Sequence, residues 1–290
     1  MFILVVPSSF PLIITTNASS PRFLLGDKIS ILPSLGVVIC SFILGSRFKT
    51  NSYPPFIRLI STSSAFTPEN KLFVFDLGGT LMEYKGMPDS WVNYYKQGFE
   101  TLNSYYHCGV SAACISESAE ILKSFNPRCI YREIEYTPEH IFSKALEHWS
   151  VEIPIHECSY IFFQGLKLEA VIYPDTIPTL KILRENGCQI ATLTDLPTAM
   201  PDDLFQNDIA ALLPYFDFYV SSLSCGFRKP NSRGLELIAE RYEIPVKELI
   251  FIGDEEKDRK TADNAGCRFI RIDRKQKGVG DIWDLTEVFP

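Results

Sequence analysis

The sequence predicts an α/β protein in which a doubly wound parallel sheet carries an α-helical domain inserted after its first strand. Three apolar segments of strand length each end in polar or charged residues, at 73–81, 189–194 and 249–258. The segment between the first two, residues 84–171, has helical periodicity instead. Because ligands bind at the carboxyl ends of parallel strands, we expect the polar groups that follow these segments to form one site.

The first predicted strand, Phe73-Val-Phe-Asp-Leu-Gly-Gly-Thr-Leu81, carries Asp76 into a glycine-rich turn. A carboxylate at the end of a strand is placed to act as a nucleophile. An Asp followed by two glycines is also common in ordinary turns, so this segment alone does not establish chemistry.

The inserted segment is predicted to be a helical bundle. Residues 89–102 have apolar positions at helical spacing after Asp89, a candidate N-cap, and Thr137 with Pro138 predicts the start of another helix. Aromatic residues at this spacing usually pack in a core, and we expect this of four residues: Trp91, Tyr94, Tyr95 and Phe99. The histidines at 107, 140, 148 and 156 lack the spacing of a metal site.

The second and third segments supply further polar groups. A helix ending at Gly187 precedes the strand Gln189–Thr194, whose terminal hydroxyl is suited to hold a phosphate oxygen. Lys229, just before Pro230 and a predicted helix at 233–242, would neutralise phosphate charge. Asp254, after the third strand, is suited to share a magnesium ion with Asp76.

Each of these residues also has a simpler interpretation. Thr194 or Asp195 would serve as a cap for the loop that follows, and Lys229 as a solvated loop lysine. Asp254 and Asp258 would interact favourably with the dipole of the next helix. The occurrence of all of them in order, each beside a predicted strand or helix, favours a shared site.

Taken together, these segments resemble the signature of the haloacid dehalogenase-like hydrolase superfamily over roughly residues 70–275. The resemblance is to phosphatases of the phosphoglycolate phosphatase kind, which have a Rossmann-like core, a mobile helical cap and Mg²⁺. It implies hydrolysis of a small phosphorylated metabolite through an aspartyl-phosphate. It also implies these roles: Asp76, Thr194 and Lys229 in catalysis; Thr194, Asp195, Lys229 and Gly79 in phosphate binding; Asp76, Asp254 and the Gly78 carbonyl in metal binding; Asp258 and Thr80 in ordering the site.

Gly78 departs from the family pattern, because phosphatases of this family usually carry a second Asp there as general acid and base. The backbone carbonyl remains, so metal binding is expected to survive. Proton transfer, worth about 10²–10⁴-fold in rate, must come from water, the substrate or another side chain.

The missing carboxyl leaves other functions open. Relatives that cleave phosphonates or carbon–halogen bonds also lack this acid. Phosphonate cleavage would need a cap lysine as a Schiff base, and neither Lys96 nor Lys123 has a context that marks it. Dehalogenation needs no magnesium, whereas the acidic segment 253–258 favours a magnesium site. A catalytically weak module that binds a phosphorylated ligand or a protein is the alternative from another class.

Composition limits the partners. The chain has 290 residues and a net charge of −7, and it shows no basic stripe, so nucleic acid is not expected as a partner. Its eight cysteines show no pairing pattern, which indicates reduced thiols and a cytoplasmic location. The oligomeric state is not predicted.

The first 65 residues differ from the rest, with five basic residues and one acid, which leaves the remainder at −11. We predict a leader of uncertain order at 1–65, an α/β core at 66–83 and 172–290, and a cap at 84–171. The leader's apolar patches, 1–16 and 29–44, are interrupted by prolines and shorter than a spanning helix. An over-extended reading frame, a transit peptide and a membrane anchor acting through residues 1–45 stay open.

Overall fold

The computed structural model describes residues 2–4, 29–32, 37–42, 71–86 and 91–288. The chain divides into two units between Thr67 and Pro68. In the first unit, β1 (Phe2–Leu4), β2 (Ile29–Leu32) and β3 (Val37–Phe42) form an antiparallel sheet in the order β1-β3-β2. The rest of the predicted leader, including the basic stretches at 47–64, lies outside the described residues. Among the residues described, no helix is long and apolar enough to cross a membrane.

The second unit alternates strands and helices. Its strands are β4 (Leu72–Phe75), β5 (Met82–Tyr84), β6 (Ala170–Ile172), β7 (Gln189–Thr194), β8 (Phe218–Ser221), β9 (Ile250–Gly253) and β10 (Arg268–Arg271). Its helices are α1 (Val92–Tyr105), α2 (Ala112–Ser124), α3 (Pro138–Ala145), α4 (Ile155–Leu166), α5 (Thr176–Glu185), α6 (Asp202–Asp208), α7 (Ser222–Cys225), α8 (Arg233–Tyr242) and α9 (Glu256–Ala265).

Five strands form a parallel sheet in the order β10-β9-β4-β7-β8. Apolar residues alternate between two hydrophobic clusters along β4, because Phe73 and Phe75 pack on one face and Leu72 and Val74 on the other. A strand buried on both faces has a continuous apolar sequence, which is typical of parallel sheets covered by helices. The predicted α/β fold class is confirmed.

Helices α1 to α4 form the inserted helical domain, called the cap below. Thr137 caps α3 as expected, since its side chain accepts the His140 N–H at 3.2 Å. Tyr95 and Phe99 are buried in the hydrophobic core, against which Trp91 and Tyr94 pack. Asp89, the predicted cap of the first helix, lies outside the described residues, and Trp91 occupies the N-cap position of α1.

The two connections between the cap and the sheet lie side by side. Strands β5 and β6 form an antiparallel ribbon in which Met82 faces Ile172 and Tyr84 faces Ala170. The predicted limits of the cap, residues 84 and 171, fall inside this ribbon. The chain thus leaves the sheet and returns to it at adjacent backbone positions.

Candidate active site

Asp76 lies at the carboxyl end of β4, the central strand of the sheet. Its backbone N–H donates to the Ile252 carbonyl of β9 at 2.9 Å, which holds the strand end in register. On the other side, β7 pairs with β4 with Thr192 opposite Phe75 and carries Thr194 to the same edge. The nucleophile candidate is therefore flanked by Thr194 from one neighbouring strand and by Asp254, just after β9, from the other.

The turn after Asp76 contains two glycines in different conformations. Gly79 has φ +80°, and a Cβ there would lie 2.2 Å from Asp254 Oδ2. The amide of Gly79 donates to the Met82 carbonyl at 2.8 Å, so its predicted role in phosphate binding is limited to providing space. Gly78 is not among the described residues with positive φ, and a Cβ there would meet no atom within 4 Å.

Lys229 links two of the predicted aspartates. Its Nζ lies 2.8 Å from Asp76 Oδ1 and 2.5 Å from Asp258 Oδ1, with only 1% of the side chain exposed. Burial alone would lower the pKa of Lys229, but Asp258 and Asp76 outweigh it and raise the pKa. Lys229 is therefore a permanent cation beside the nucleophile candidate.

Asp258 is positioned by the helix that contains it. Its Oδ2 accepts the backbone N–H of Glu255 at 2.9 Å, which completes a capping box at the start of α9. Its Oδ1 is left to face Lys229. Asp258 thus both caps α9 and holds the Lys229 ammonium group in place.

Oxygen atoms of three carboxylates, Asp76, Asp254 and Asp258, lie within 4.8 Å of one another. Because Asp258 is engaged by Lys229 and Glu255, Asp76 and Asp254 are the carboxylates suited to hold Mg²⁺, and a contribution from the Gly78 carbonyl stays a prediction. These are hard oxygen ligands, which fit Mg²⁺.

The electrostatics of these carboxylates also fit a cation site. Burial, opposed by Lys229 and reinforced by Asp258, raises the pKa of Asp76 to about 7. Burial with the charges of Asp258 and Glu255 raises the pKa of Asp254 to about 6. Carboxylates that are costly to ionise next to one another are stabilised in their charged form by a bound cation.

The remaining predicted residues surround this group. Thr194 is buried at the end of β7. Thr80 Oγ1 donates to Asp254 Oδ1 over a long 3.4 Å. Asp195 Oδ1 accepts the Lys229 backbone N–H at 3.0 Å, and its Oδ2 lies 3.3 Å from Lys257 Nζ. Because both carboxylate oxygens of Asp195 have partners, only its backbone is left to interact with a phosphate.

The charge of Asp195 is firmly held. Burial alone would raise its pKa, but the positive charges of Lys257, Arg228 and Lys229 lower it to about 2. Asp195 is consequently ionised at any pH at which the protein is expected to work.

Three cations near the site were not predicted from the sequence. Lys257 lies in the first turn of α9, where a positive charge interacts unfavourably with the helix dipole. This placement indicates that Lys257 does something other than stabilise the helix. Arg128 of the cap pairs with Glu255, and Arg274 donates to the Thr80 carbonyl at 2.6 Å. Nothing in the local sequence marks either arginine.

The two cap lysines considered for phosphonate chemistry lie at the surface, Lys96 exposed and Lys123 half-buried. Lys96 is exposed on α1, and Lys123 of α2 pairs with Glu120 at 3.0 Å. Neither has the buried apolar surroundings that a Schiff-base lysine needs.

The chain is similar to known hydrolases over most of this unit. Residues 70–266 match the model of the haloacid dehalogenase-like hydrolase family. A phosphoglycolate phosphatase of Vibrio vulnificus (strain YJ016) is 35% identical over 206 residues, covering 69% of this chain and 82% of the relative. One of Vibrio cholerae is 25% identical over 210 residues, covering 68% and 81%.

A solved structure shares the fold. The 2-haloacid dehalogenase from Pseudomonas syringae pv. Tomato DC3000 is 19% identical and superposes with a TM-score of 0.52, covering 75% of this chain and 96% of that one. At this identity the likeness concerns the fold alone. The family match spans the strands and helices that bring Asp76, Lys229 and Asp254 together, and it shows that this hydrolase belongs to the haloacid dehalogenase-like family.

Proposed function

We propose that the protein is a Mg²⁺-dependent phosphatase that hydrolyses a small phosphorylated metabolite through an aspartyl-phosphate on Asp76. The observation that carries the proposal is the buried lysine between Asp76 and Asp258, with Asp254 beside them. The phosphoglycolate phosphatases among its relatives support a small phosphorylated substrate.

The proposed reaction starts at Asp76. Lys229 contacts Oδ1, so the other carboxylate oxygen is left to attack phosphorus. The new oxygen–phosphorus bond forms as the ester bond breaks, and the leaving alcohol departs with the electron pair. Thr194 and Lys229 hold the oxygens of the transferring group and offset their charge. Water then hydrolyses the aspartyl-phosphate and regenerates Asp76.

Magnesium, held by Asp76, Asp254 and the Gly78 carbonyl, would supply charge neutralisation for the phosphoryl group. In the absence of a carboxyl group at residue 78, the leaving alcohol takes its proton from water, from the substrate itself or from another side chain. Esters with good leaving groups are therefore the substrates that this site should hydrolyse fastest.

A second candidate function is a binding module for a phosphorylated ligand. The observation that favours it is Gly78, because the site keeps the groups that bind phosphate and metal but lacks the usual proton donor. Both candidate functions predict that a phosphorylated ligand binds, but only the phosphatase predicts that the ligand is hydrolysed.

A screen of phosphorylated metabolites with Mg²⁺ tests the proposal. The wild-type protein should release phosphate from at least one natural ester, and Asp76→Asn should abolish release because an amide is a poor nucleophile of similar shape. Asp263→Asn on the exposed face of α9 is the matched control and should keep wild-type rates. Equal release by wild type and Asp76→Asn would refute the proposal, and tight binding without release would support the module.

A further inference from the structure

The cap inserts one carboxylate between two loops of the candidate active site. Glu135 lies in the segment of residues 133–135, between α2 and α3, and its side chain is 4% exposed. Its Oε2 accepts from Ser222 Oγ at 2.6 Å and pairs with Arg228 Nη1. Its Oε1 accepts from Arg132 Nη1 of the cap at 2.9 Å. One oxygen of Glu135 is therefore held inside the cap, and the other binds two side chains of the sheet domain.

Ser222 and Arg228 meet again at Leu196, in the loop that follows Thr194. Ser222 Oγ accepts the Leu196 N–H at 3.0 Å, and Arg228 Nη2 donates to the Leu196 carbonyl at 2.9 Å. Both backbone groups of Leu196 are thus held by side chains that share Glu135 Oε2. Ser222, Arg228 and Leu196 are buried, and a buried polar group without a partner is costly.

Lys229 is connected to the same loop. Its backbone N–H donates to Asp195 Oδ1 at 3.0 Å, and Asp195 directly precedes Leu196. The loop 194–196 and the loop of Arg228 and Lys229 are therefore joined by two side chains, the Asp195 carboxylate and the Arg228 guanidinium. Of these two connections, the guanidinium is the one that also binds the cap.

We propose that Glu135 is a positioning residue for the phosphate site. It holds Ser222 and Arg228 so that the loops carrying Thr194 and Lys229 keep the spacing that a phosphoryl group requires. Phosphate binding at the sheet then depends on a carboxylate supplied by the cap. The inference rests on the proposed phosphatase function and adds a residue that supports its phosphate-binding groups.

The first test measures binding of inorganic phosphate, with Mg²⁺ present, by isothermal titration calorimetry. Glu135→Gln should raise Kd for phosphate about tenfold or more, because a neutral amide offers one oxygen acceptor where the carboxylate offers two. Kd for Mg²⁺ should stay at the wild-type value, since Asp76 and Asp254 follow β4 and β9 and lie outside these loops. Glu120→Gln, the same substitution on the exposed face of α2, is the matched control and should change neither constant.

An engineered disulfide separates positioning from simple fastening of the cap. Ile134 and Phe227 face each other in an antiparallel bridge between the cap and the sheet domain, and the hydrogen bonds on either side of it come from their neighbours. The Cα atoms of such a pair lie about 4.5 Å apart, which a disulfide can span. Both side chains are exposed, so Ile134→Cys with Phe227→Cys can fasten the cap whatever occupies residue 135. Peptide mass spectrometry checks that the intended pair forms.

In the oxidised protein, Glu135→Gln should still raise Kd for phosphate about tenfold or more, because the disulfide replaces the fastening and not the carboxylate. If Glu135→Gln folds only after oxidation, the two oxidised proteins, with and without this substitution, give the comparison. Ser222→Ala removes the hydroxyl between Glu135 and Leu196 and should also weaken phosphate binding while Kd for Mg²⁺ stays unchanged.

Four results would overturn the inference. They are an unchanged Kd for phosphate in Glu135→Gln, recovery of wild-type affinity on oxidation, an equal loss of phosphate and Mg²⁺ affinity, and a wild type that binds no phosphate. Recovery on oxidation would show that Glu135 only fastens the cap.

These outcomes are distinct from those that test the proposed function. A protein that binds phosphate in a manner dependent on Glu135, yet releases none from any ester, refutes the phosphatase function and supports the inference. Hydrolysis of esters by a protein whose phosphate affinity is the same in Glu135→Gln refutes the role of Glu135 alone.

Discussion

Gly78 and Gly79 are adjacent in the chain and have opposite requirements for a side chain. At Gly79, φ is +80° and Asp254 occupies the position of a Cβ, so only glycine is accommodated. At Gly78, the position of a Cβ is open space and φ is not positive. A Cβ can therefore be introduced at residue 78 without steric conflict.

We predict that Gly78→Asp accelerates hydrolysis of alkyl phosphates more than that of activated aryl phosphates. Only the former need a proton as the bond breaks, and a general acid contributes about 10²–10⁴-fold. The measurement is kcat/KM across esters of increasing leaving-group pKa, with Gly78→Asn as the control of equal size. Equal changes on poor and good leaving groups would show that residue 78 is not a lost acid position.

A second prediction concerns magnesium and pH. The raised pKa values of Asp76, about 7, and Asp254, about 6, favour the protonated carboxyls in the metal-free fold. That contribution to stability is complete below the unfolded pKa of about 4 and is lost as pH rises through 6 to 7. Magnesium binds the ionised form, so its stabilising effect should be larger at pH 8 than at pH 5.5.

Thermal unfolding with and without Mg²⁺ at the two pH values measures this effect. At a Mg²⁺ concentration ten times Kd, the gain at pH 8 should be about 1.4 kcal/mol. Asp254→Asn should remove most of it. A gain that is independent of pH, or one that survives Asp254→Asn, would contradict the assignment of these carboxylates to the metal.

The sequence predicts the site residues at the strand ends better than the residue that the cap contributes. Asp76, Thr194 and Asp254 each follow an apolar strand segment, and parallel pairing of β4, β7 and β9 brings strand ends to one edge. Arg128 comes from a turn of the cap and meets Glu255 only through tertiary packing. Neither hydrophobic periodicity nor a helix-capping motif predicts such a contact, because it depends on how the inserted helical domain packs against the sheet.

At the scale of elements, a short segment of the cap docks against the loop that carries Lys229. Glu135 N–H donates to the Gly226 carbonyl at 2.9 Å, and Arg228 N–H donates to the Glu133 carbonyl at 2.6 Å. The Glu135 carboxylate, 4% exposed, pairs with Arg228 and accepts from Ser222 Oγ at 2.6 Å. This contact fixes the residue just before Lys229.

We predict that Glu135→Gln destabilises the protein by about 3 to 5 kcal/mol, because it leaves the buried Arg228 guanidinium without its counter-charge. Urea unfolding measures the change. Glu120→Gln on the exposed face of α2 is the control and should change the free energy of unfolding by less than about 0.5 kcal/mol. A loss below about 1 kcal/mol in Glu135→Gln would show that water replaces the carboxylate.

The elements themselves were predicted unevenly. Helix α8 begins at Arg233 and ends at Tyr242, as the amphipathic pattern predicts, and β7 matches its predicted bounds. The edge strands β8 and β10 were not predicted, because they are four residues long and partly exposed, so their sequences lack a continuous apolar run. The ribbon of β5 and β6 escapes prediction for the same reason, with three residues in each strand.

At the scale of the whole molecule, all residues proposed for the site belong to the unit that starts at Pro68. The hydrophobic clusters described for this unit contain residues from Leu72 onward. Its core and its site are thus built from one continuous stretch of chain.

We predict that a chain of residues 68–290 is expressed in folded form and hydrolyses phosphate esters with kcat/KM within about twofold of the full chain, since the residues proposed for the site and those of the described hydrophobic clusters all lie in this stretch. Circular dichroism, size-exclusion chromatography and the ester assay on both chains measure this. Aggregation of the shorter chain, or a large loss of kcat/KM with the fold intact, would assign a structural or functional role to the first unit.

The ribbon of β5 and β6 has a consequence for how such a protein diversifies. Tyr84 faces Ala170, so the segment between them begins and ends about 5 Å apart across one strand pair. A tight turn of a few residues would close the same gap without moving a strand of the sheet. The cap is thus inserted at one point of the sheet domain, so evolution or protein engineering can exchange its helices and select a new substrate range without altering the strand order, as long as the contact of residues 133–135 with the loop that carries Lys229 is kept.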